Sequence, residues 1–282
     1  MRNAEKPSNS QDRNLQDLLV GYHSVLPYET DYLYDVSSSL FDEHLRFFSS
    51  RKNEGKQAVN VTFDDGHRSN YEHALPILER AQCHATFFLL VGSLGNDQNY
   101  LTWQQVREMA AIGHHMESHG WAHSLLTSCG VRQLERELVR SKKLLEDRLG
   151  TEVNSLSAPG GRWNRRVIEM CSKAGYKFFY HSNPWSDPIA VDGVIVRGRM
   201  MITGQMDQHE LKRKFDSSAA RRKLHLAIYE AKESARSLLG DRLYHRLWRW
   251  KANYSDALGV EIVVEDKEEP SPADGGRVNN GQ

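Results

Sequence analysis

Two carboxylates and two imidazoles in this chain stand at spacings that chemistry can use. The run Val61-Thr62-Phe63-Asp64-Asp65-Gly66 leaves an apolar segment and ends in two acids and a glycine. Enzymes built on parallel sheets and barrels carry their reacting groups at such carboxyl ends of strands. Neighbouring residues on a regular strand face opposite ways, so Asp64 and Asp65 share one site only if the backbone turns there, which Gly66 permits. Taken alone, the pair also reads as an ordinary strand-ending turn. The second element is Glu117-Ser118-His119-Gly120-Trp121-Ala122-His123. Imidazoles four residues apart can converge on one metal from a helical turn or a loop, although 13 histidines in the chain make chance pairs of that spacing common. Combined, Asp65, His119 and His123 make a facial site with open positions, suited to Zn²⁺, Fe²⁺, Co²⁺ or a similar ion bearing water. Asp64 then stands beside a ligand, placed to take a proton from that water, whose pKa a dication lowers towards roughly 7.

Elements of alternating type must position these groups. Residues 18–22, 58–63, 85–91, 153–158, 177–181 and 194–199 read as strands, and 85–91 is apolar throughout, as a strand buried on both faces should be. Residues 41–48 and 70–82 read as helices, with Pro76 expected to kink the second or mark a late start. Thr102 and Gln105 form a capping box for a helix that should stop at Gly113. Val131, Leu134, Leu138, Leu145 and Leu149 stripe one long helix closed by Gly150, and a further helix runs from near Asn164 to Gly175. This alternation argues for a parallel α/β sheet or barrel. The expected organisation is a disordered lead-in at 1–16, a catalytic domain at 17–205, a basic helical extension at 206–260 and a disordered tail at 261–282.

With both motifs placed, the pattern resembles the polysaccharide deacetylases, the NodB-homology group also known as carbohydrate esterase family four. The family's T-F-D-D-G motif stands intact from Thr62 to Gly66. Its H-[ST]-x-x-H motif matches from His119 to His123, except that Gly120 replaces the hydroxyl residue. Tyr22-His23, Ala85-Thr86-Phe87-Phe88 and Gly113-His114 also look like the family. The resemblance implies an α/β fold, a distorted (β/α) barrel of about seven strands, here with a C-terminal helical extension. It implies a divalent metal on Asp65, His119 and His123, Zn²⁺ first, with Co, Ni, Fe or Mn as alternatives. It also implies Asp64 as the base acting on metal-bound water, and hydrolytic removal of acetyl groups from N-acetylated polysaccharide or oligosaccharide. A role in exopolysaccharide metabolism is implied in the same way. In the family the hydroxyl of the second motif stabilises the motif loop, so Gly120 implies a looser loop with no ligand lost.

The third motif departs from the family's R-x-P-aromatic pattern, because the aligned run is Ser157-Ala158-Pro159-Gly160-Gly161. The arginine that would orient the base has become Ser157, and the pocket aromatic has become Gly160. Arg162 is a candidate for the missing charge by proximity alone. The Gly160 N–H stays available as an oxyanion donor, since that function needs no side chain. The family's histidine acid has no placed counterpart. His181, His209 and His225 are candidates, and His23 is a candidate site-lining residue. Trp121 and Trp163 flank the motifs, either as platforms for a sugar face or as core.

The bulk properties bound the alternatives. A length of 282 residues suits one large domain, or one domain and a tail. Zero formal net charge gives no global field for nucleic acid, and none is expected as a partner. Three widely spaced cysteines speak against both a disulfide framework and a thiolate zinc site. A polar N-terminus and the lack of any run of about 18 apolar residues make cytoplasmic the expected location. Within 211–251, twelve Lys or Arg face four Asp or Glu. That segment reads either as a peripheral contact with an anionic membrane or as an amphipathic helix packed on the barrel. Two other functions fit the sequence: a non-catalytic sugar-binding protein of the same fold, and a deacylase of a lipid- or nucleotide-linked acylamino sugar.

Overall fold

The computed structural model describes residues 17–239; the expected lead-in, the tail and the part of the basic segment beyond 239 lie outside the described residues. The chain opens with strand β1 (Leu18–Tyr22), followed by β2 (Ser24–Leu26) and β3 (Asp35–Ser37), which pair with each other in a small separate sheet. Helix α1 (Ser38–Asn53) starts at Ser37, whose hydroxyl accepts from Leu40 N. It leads into β4 (Val59–Phe63), which ends at the two acids.

A π-helical turn (Asn70–Ala74) precedes α2 (Leu75–Arg80). Pro76 sits in the first turn of α2, where its missing N–H costs least, so the proline sets a late α start as expected. Then come β5 (Thr86–Leu89), α3 (Trp103–Ala111) with the expected capping box, and β6 (His115–Ser118). The anticipated long helix is three pieces: α4 (Val131–Glu135), a π turn (Arg136–Arg140) and α5 (Ser141–Leu149), closed by Gly150 in the left-handed region. The remaining core elements are β7 (Ser155–Ser157), a 3₁₀ turn (Pro159–Gly161), α6 (Arg165–Lys173), β8 (Phe178–His181), β9 (Ile189–Val191), β10 (Val194–Gly198) and β11 (Met200–Met201).

The main sheet has nine strands in the order β11-β1-β4-β5-β6-β7-β8-β10-β9, and every pairing but β10–β9 is parallel. Its two ends belong to one chain segment. Residues 195–198 pair with β8, and two residues later 200–201 pair with β1. Only Arg199 separates them; its N–H bonds His181 O, and Ile202 N bonds Gly21 O. The segment 194–201 thus acts as the last stave of a distorted barrel. Counting it as one strand gives the expected seven, with β9 as an added antiparallel edge.

The interior is aromatic. Phe63 and Phe87 stack at 4.8 Å, and Tyr22 and Phe41 meet edge-on at 5.0 Å. Helix α7 (Gln208–Phe215) is packed on this body, with Leu211 and Phe215 buried and Phe215 stacked against Phe47. Helix α8 (Ala219–Leu239) follows. Among the described residues, no helix is long and apolar enough to cross a membrane.

Candidate active site

All of the motif residues lie where parallel strands end. At the end of β4 the chain turns sharply: Asp65 itself has φ 70° and Gly66 has φ 74°. The turn expected at the glycine therefore begins one residue earlier. Leaving β geometry at Asp65 lets both carboxylates face the same side. Gly66 is held to glycine on two counts, because a Cβ there would also lie 2.9 Å from Leu89 Cδ2. The second motif follows β6 as a loop. His119 N bonds Leu89 O at 2.9 Å, and His123 adopts φ 58°. Two of the three expected ligands thus hold left-handed backbone, which costs a non-glycine residue roughly 1–2 kcal/mol. Such outliers concentrate at functional sites.

Asp65, His119 and His123 each offer a ligand atom, and these atoms lie within 4.8 Å of one another. Asp65 Oδ1 is 3.3 Å from His119 Nε2 and 3.5 Å from His123 Nε2. It is buried and has no hydrogen-bond partner among the described residues. His119 Nδ1 lies 3.0 Å from Ser157 O. A carbonyl can only accept, so Nδ1 carries the proton and the Nε2 lone pair faces Asp65. A buried, unpaired carboxylate oxygen opposite two imidazole nitrogens is a donor set that fits a divalent cation. Burial alone would push the Asp65 carboxyl up, but His119, His23 and His123 together hold it well below the ordinary carboxylate range. Burial likewise opposes the charge of His119, yet Asp64 and Asp65 raise its pKa overall.

Asp64 is 4% exposed and is gripped by Arg199. Arg199 Nη1 reaches Asp64 Oδ1 at 2.8 Å, and Nη2 reaches Oδ2 at 2.7 Å. The same guanidinium donates to Thr62 Oγ1 at 2.8 Å and to Ser157 Oγ at 2.6 Å, and the Ser157 hydroxyl donates to Asp64 at 3.2 Å. Phe88 lies under the guanidinium at 4.9 Å. Burial raises the Asp64 carboxyl, but Arg199 and then His119 outweigh it, so Asp64 stays ionised below the usual range. This corrects the assignment of the missing third-motif charge to Arg162. The cation beside Asp64 is Arg199, from the far end of the sequence, and Ser157 is the hydroxyl that joins the two.

The other candidates separate clearly. Tyr22 O accepts from Asp64 N at 2.8 Å, which brings the end of β1 alongside the acids. His23 follows, its ring 4.7 Å from Tyr34 and its Nδ1 buried without a hydrogen-bond partner among the described residues. It is near enough to act electrostatically on Asp64, Asp65 and His123. His181 is buried, accepts from Asn183 N at Nδ1, and is lowered to about 4 by burial and Arg199, so it is neutral at pH 7. His209 is exposed on α7, and His225 on α8 stacks on Trp185 at 5.0 Å. Gly160 lies in the turn after β7 with φ 65°, and a Cβ there would strike Leu125 Cδ2 at 2.7 Å. Trp121 carries Arg140 over its ring at 4.1 Å, and Trp163 packs on Phe179 and His181.

Comparison with known proteins agrees with this architecture. Residues 51–179 match the family model described as polysaccharide deacetylase. YxkH of Bacillus subtilis is 33% identical over 133 residues, covering 47% of each chain. A chitooligosaccharide deacetylase of Sinorhizobium fredii is 29% identical over 150 residues, covering 51% of this chain and 67% of that protein. Among solved structures, the Streptococcus pyogenes deacetylase PplD in complex with acetate superposes with a TM-score of 0.62 at 23% identity, covering 71% of this chain and 98% of that one.

Proposed function

We propose that this chain, whose residues 51–179 match the polysaccharide deacetylase family model, hydrolyses the N-acetyl group of glucosamine units in an oligosaccharide or polysaccharide. The observation that carries this reading is the convergence of Asp65, His119 and His123 within 4.8 Å beside an Asp64 locked to Arg199. Asp65, His119 and His123 would hold one divalent cation, Zn²⁺ in the first instance, which supplies Lewis acidity to water and to the acetamide carbonyl. Asp64, kept ionised by Arg199, takes the proton of the attacking water. The Gly160 N–H accommodates the oxyanion as the carbonyl carbon becomes tetrahedral. His23 serves as the acid that protonates the departing sugar amine. It is favoured because it follows Tyr22, whose carbonyl bonds Asp64 N, whereas His181 is tied to its own loop through Asn183 N. Acetate and a free amine leave. The name of the Sinorhizobium relative supports chitooligosaccharides as the substrate class to try first.

The test uses the full chain, stripped with chelator and reloaded with Zn²⁺, and measures acetate released from N-acetylglucosamine oligomers. The wild type should turn over. Asp64→Asn should lose at least about 100-fold in kcat, as removal of a general base does, while its Zn²⁺ affinity by calorimetry stays near the wild type. If the wild type binds Zn²⁺ and an oligomer but releases no acetate, the deacetylase reading gives way to a sugar-binding one.

A further inference from the structure

The second motif lacks its hydroxyl residue, yet its loop is tightly held. Three successive backbone amides end on side-chain acceptors. Gly120 N bonds Ser118 Oγ at 3.1 Å, Trp121 N bonds Glu137 Oε2 at 2.6 Å, and Ala122 N bonds the same oxygen at 3.0 Å. The Ser124 hydroxyl donates to Glu137 Oε1 at 2.9 Å. Glu137 is 1% exposed, and both of its oxygens are used on this one loop. Charge-assisted bonds of this kind are roughly twice as strong as neutral ones. The expectation that Gly120 loosens the loop is therefore corrected: the acceptor has moved to a helix.

The helix is shaped to deliver it. Glu137 lies in the π turn Arg136–Arg140, where the backbone widens and leaves carbonyls short of partners. Those carbonyls are met from outside. Ser141 Oγ donates to Glu137 O, and the Tyr176 hydroxyl donates to Leu138 O at 2.9 Å. Ser141 Oγ also lies 3.1 Å from Ser118 Oγ, which ties the turn to the end of β6. Gly120 completes the fit. It has φ 85°, and a Cβ there would sit 2.8 Å from Glu137 Oε2. A side chain at 120 and the carboxylate of 137 compete for one space.

We propose that Glu137 is the positioning residue for this site: its buried carboxylate sets the backbone of 120–124 and so aims His123 at Asp65. The proposal rests on Asp65, His119 and His123 being a metal site. Its test measures Zn²⁺ affinity by chelator competition and the visible spectrum of the Co²⁺ form, on the full chain, for the wild type, Glu137→Ala, Glu137→Gln, Gly120→Ser and Asp65→Ala. Loss of a group that orients a ligand typically costs about 10–100-fold in metal affinity. Glu137→Ala should show that loss and an altered Co²⁺ spectrum. Glu137→Gln should recover most of the affinity, since one amide oxygen can still face the two N–H groups and the NH₂ can donate to Ser124. Gly120→Ser, which leaves Glu137 in place but crowds it, should weaken binding as well and serves if Glu137→Ala does not fold. Wild-type affinity and spectrum in Glu137→Ala or Gly120→Ser, with Asp65→Ala defective, would overturn the positioning role alone, even if the melting temperature had dropped. A wild type that binds neither ion would overturn the metal site itself, and the proposal with it.

Discussion

Arg199 and Asp64 meet inside the barrel with two parallel charge-assisted bonds, and both side chains are almost wholly buried. Removing one partner of such a pair leaves an uncompensated charge and costs about 3–5 kcal/mol. Arg199→Met should therefore lower stability by that order and raise the pKa of Asp64. On the proposed role of Asp64 as base, the acid limb of kcat/KM against pH should move upward, because the carboxylate must be ionised to accept a proton. Arg199→Lys keeps the charge but not the planar fork, so it should shift the limb less and still lose turnover. An Arg199→Met enzyme with a wild-type acid limb would show that this pair does not tune the base. Asp64, Asp65, His119 and His123 were legible from sequence because strand ends and four-residue spacing are local properties. Arg199 is 135 residues from its partner in sequence, and no local pattern ties the two together. The available signal was an arginine at each of positions 197 and 199 inside an apolar strand, since a buried arginine requires a counter-charge.

The stave 194–201 does at the level of elements what Arg199 does at the level of residues, because it joins β8 to β1 and presents the guanidinium at the joint. Its fit is tight at Gly198, where a Cβ would fall 1.6 Å from Asn183 O. Gly198→Ala must move backbone on one side or the other. Overpacking costs about 1–3 kcal/mol and occasionally more, so a lower urea midpoint is expected. Activity should fall further than the stability loss explains, because residue 199 moves with 198. Gly55→Ala is the control, with φ 69° but nothing within 4 Å of the added carbon. Only the cost of left-handed backbone applies there, about 1 kcal/mol, with turnover intact. Equal activity losses in the two variants would argue against the seam as a determinant of the site. Most strands and helices could be read ahead from apolar runs and capping residues. β6 could not, because its four residues His115–Ser118 carry one aliphatic side chain, and the sheet rather than propensity makes it a strand. The π turn at 136–140 was likewise invisible, since Leu134, Leu138 and Leu145 keep a helical stripe across it, and only the partners of Glu137 and Ser141 explain the widening.

At the scale of the whole molecule, three buried imidazoles tie stability to pH. His44 lies between the Tyr22 hydroxyl at 2.9 Å and Met206 O at 2.6 Å, linking α1, β1 and the approach to α7. His114 accepts from Ala85 N at 3.1 Å, and His181 accepts from Asn183 N at 3.2 Å. Each is lowered to about 4, in every case first by burial. Because these folded values lie below the ordinary histidine value, the unfolded chain binds more protons between about pH 6.5 and 4, and stability falls as pH falls through that window. Each ring contributes on the order of 3 kcal/mol at most. His67 and His123 are lowered too, while His119 and the buried Glu117, raised to about 7, contribute with the opposite sign, so five depressed rings stand against two raised groups. The melting temperature should therefore be highest near neutrality and drop between about pH 6 and 4.5, with Glu117 offsetting part of the fall. His44→Gln should lose stability at pH 7, because the bonds to Tyr22 and Met206 are disturbed, yet show a shallower slope below pH 6.5, since one proton-linked site is gone. Thermal melts of both proteins across this range decide the matter: a wild-type melting temperature that stays flat from pH 7 to 5, or a His44→Gln slope as steep as the wild type's, would mean that these rings do not govern the acid limit of the fold.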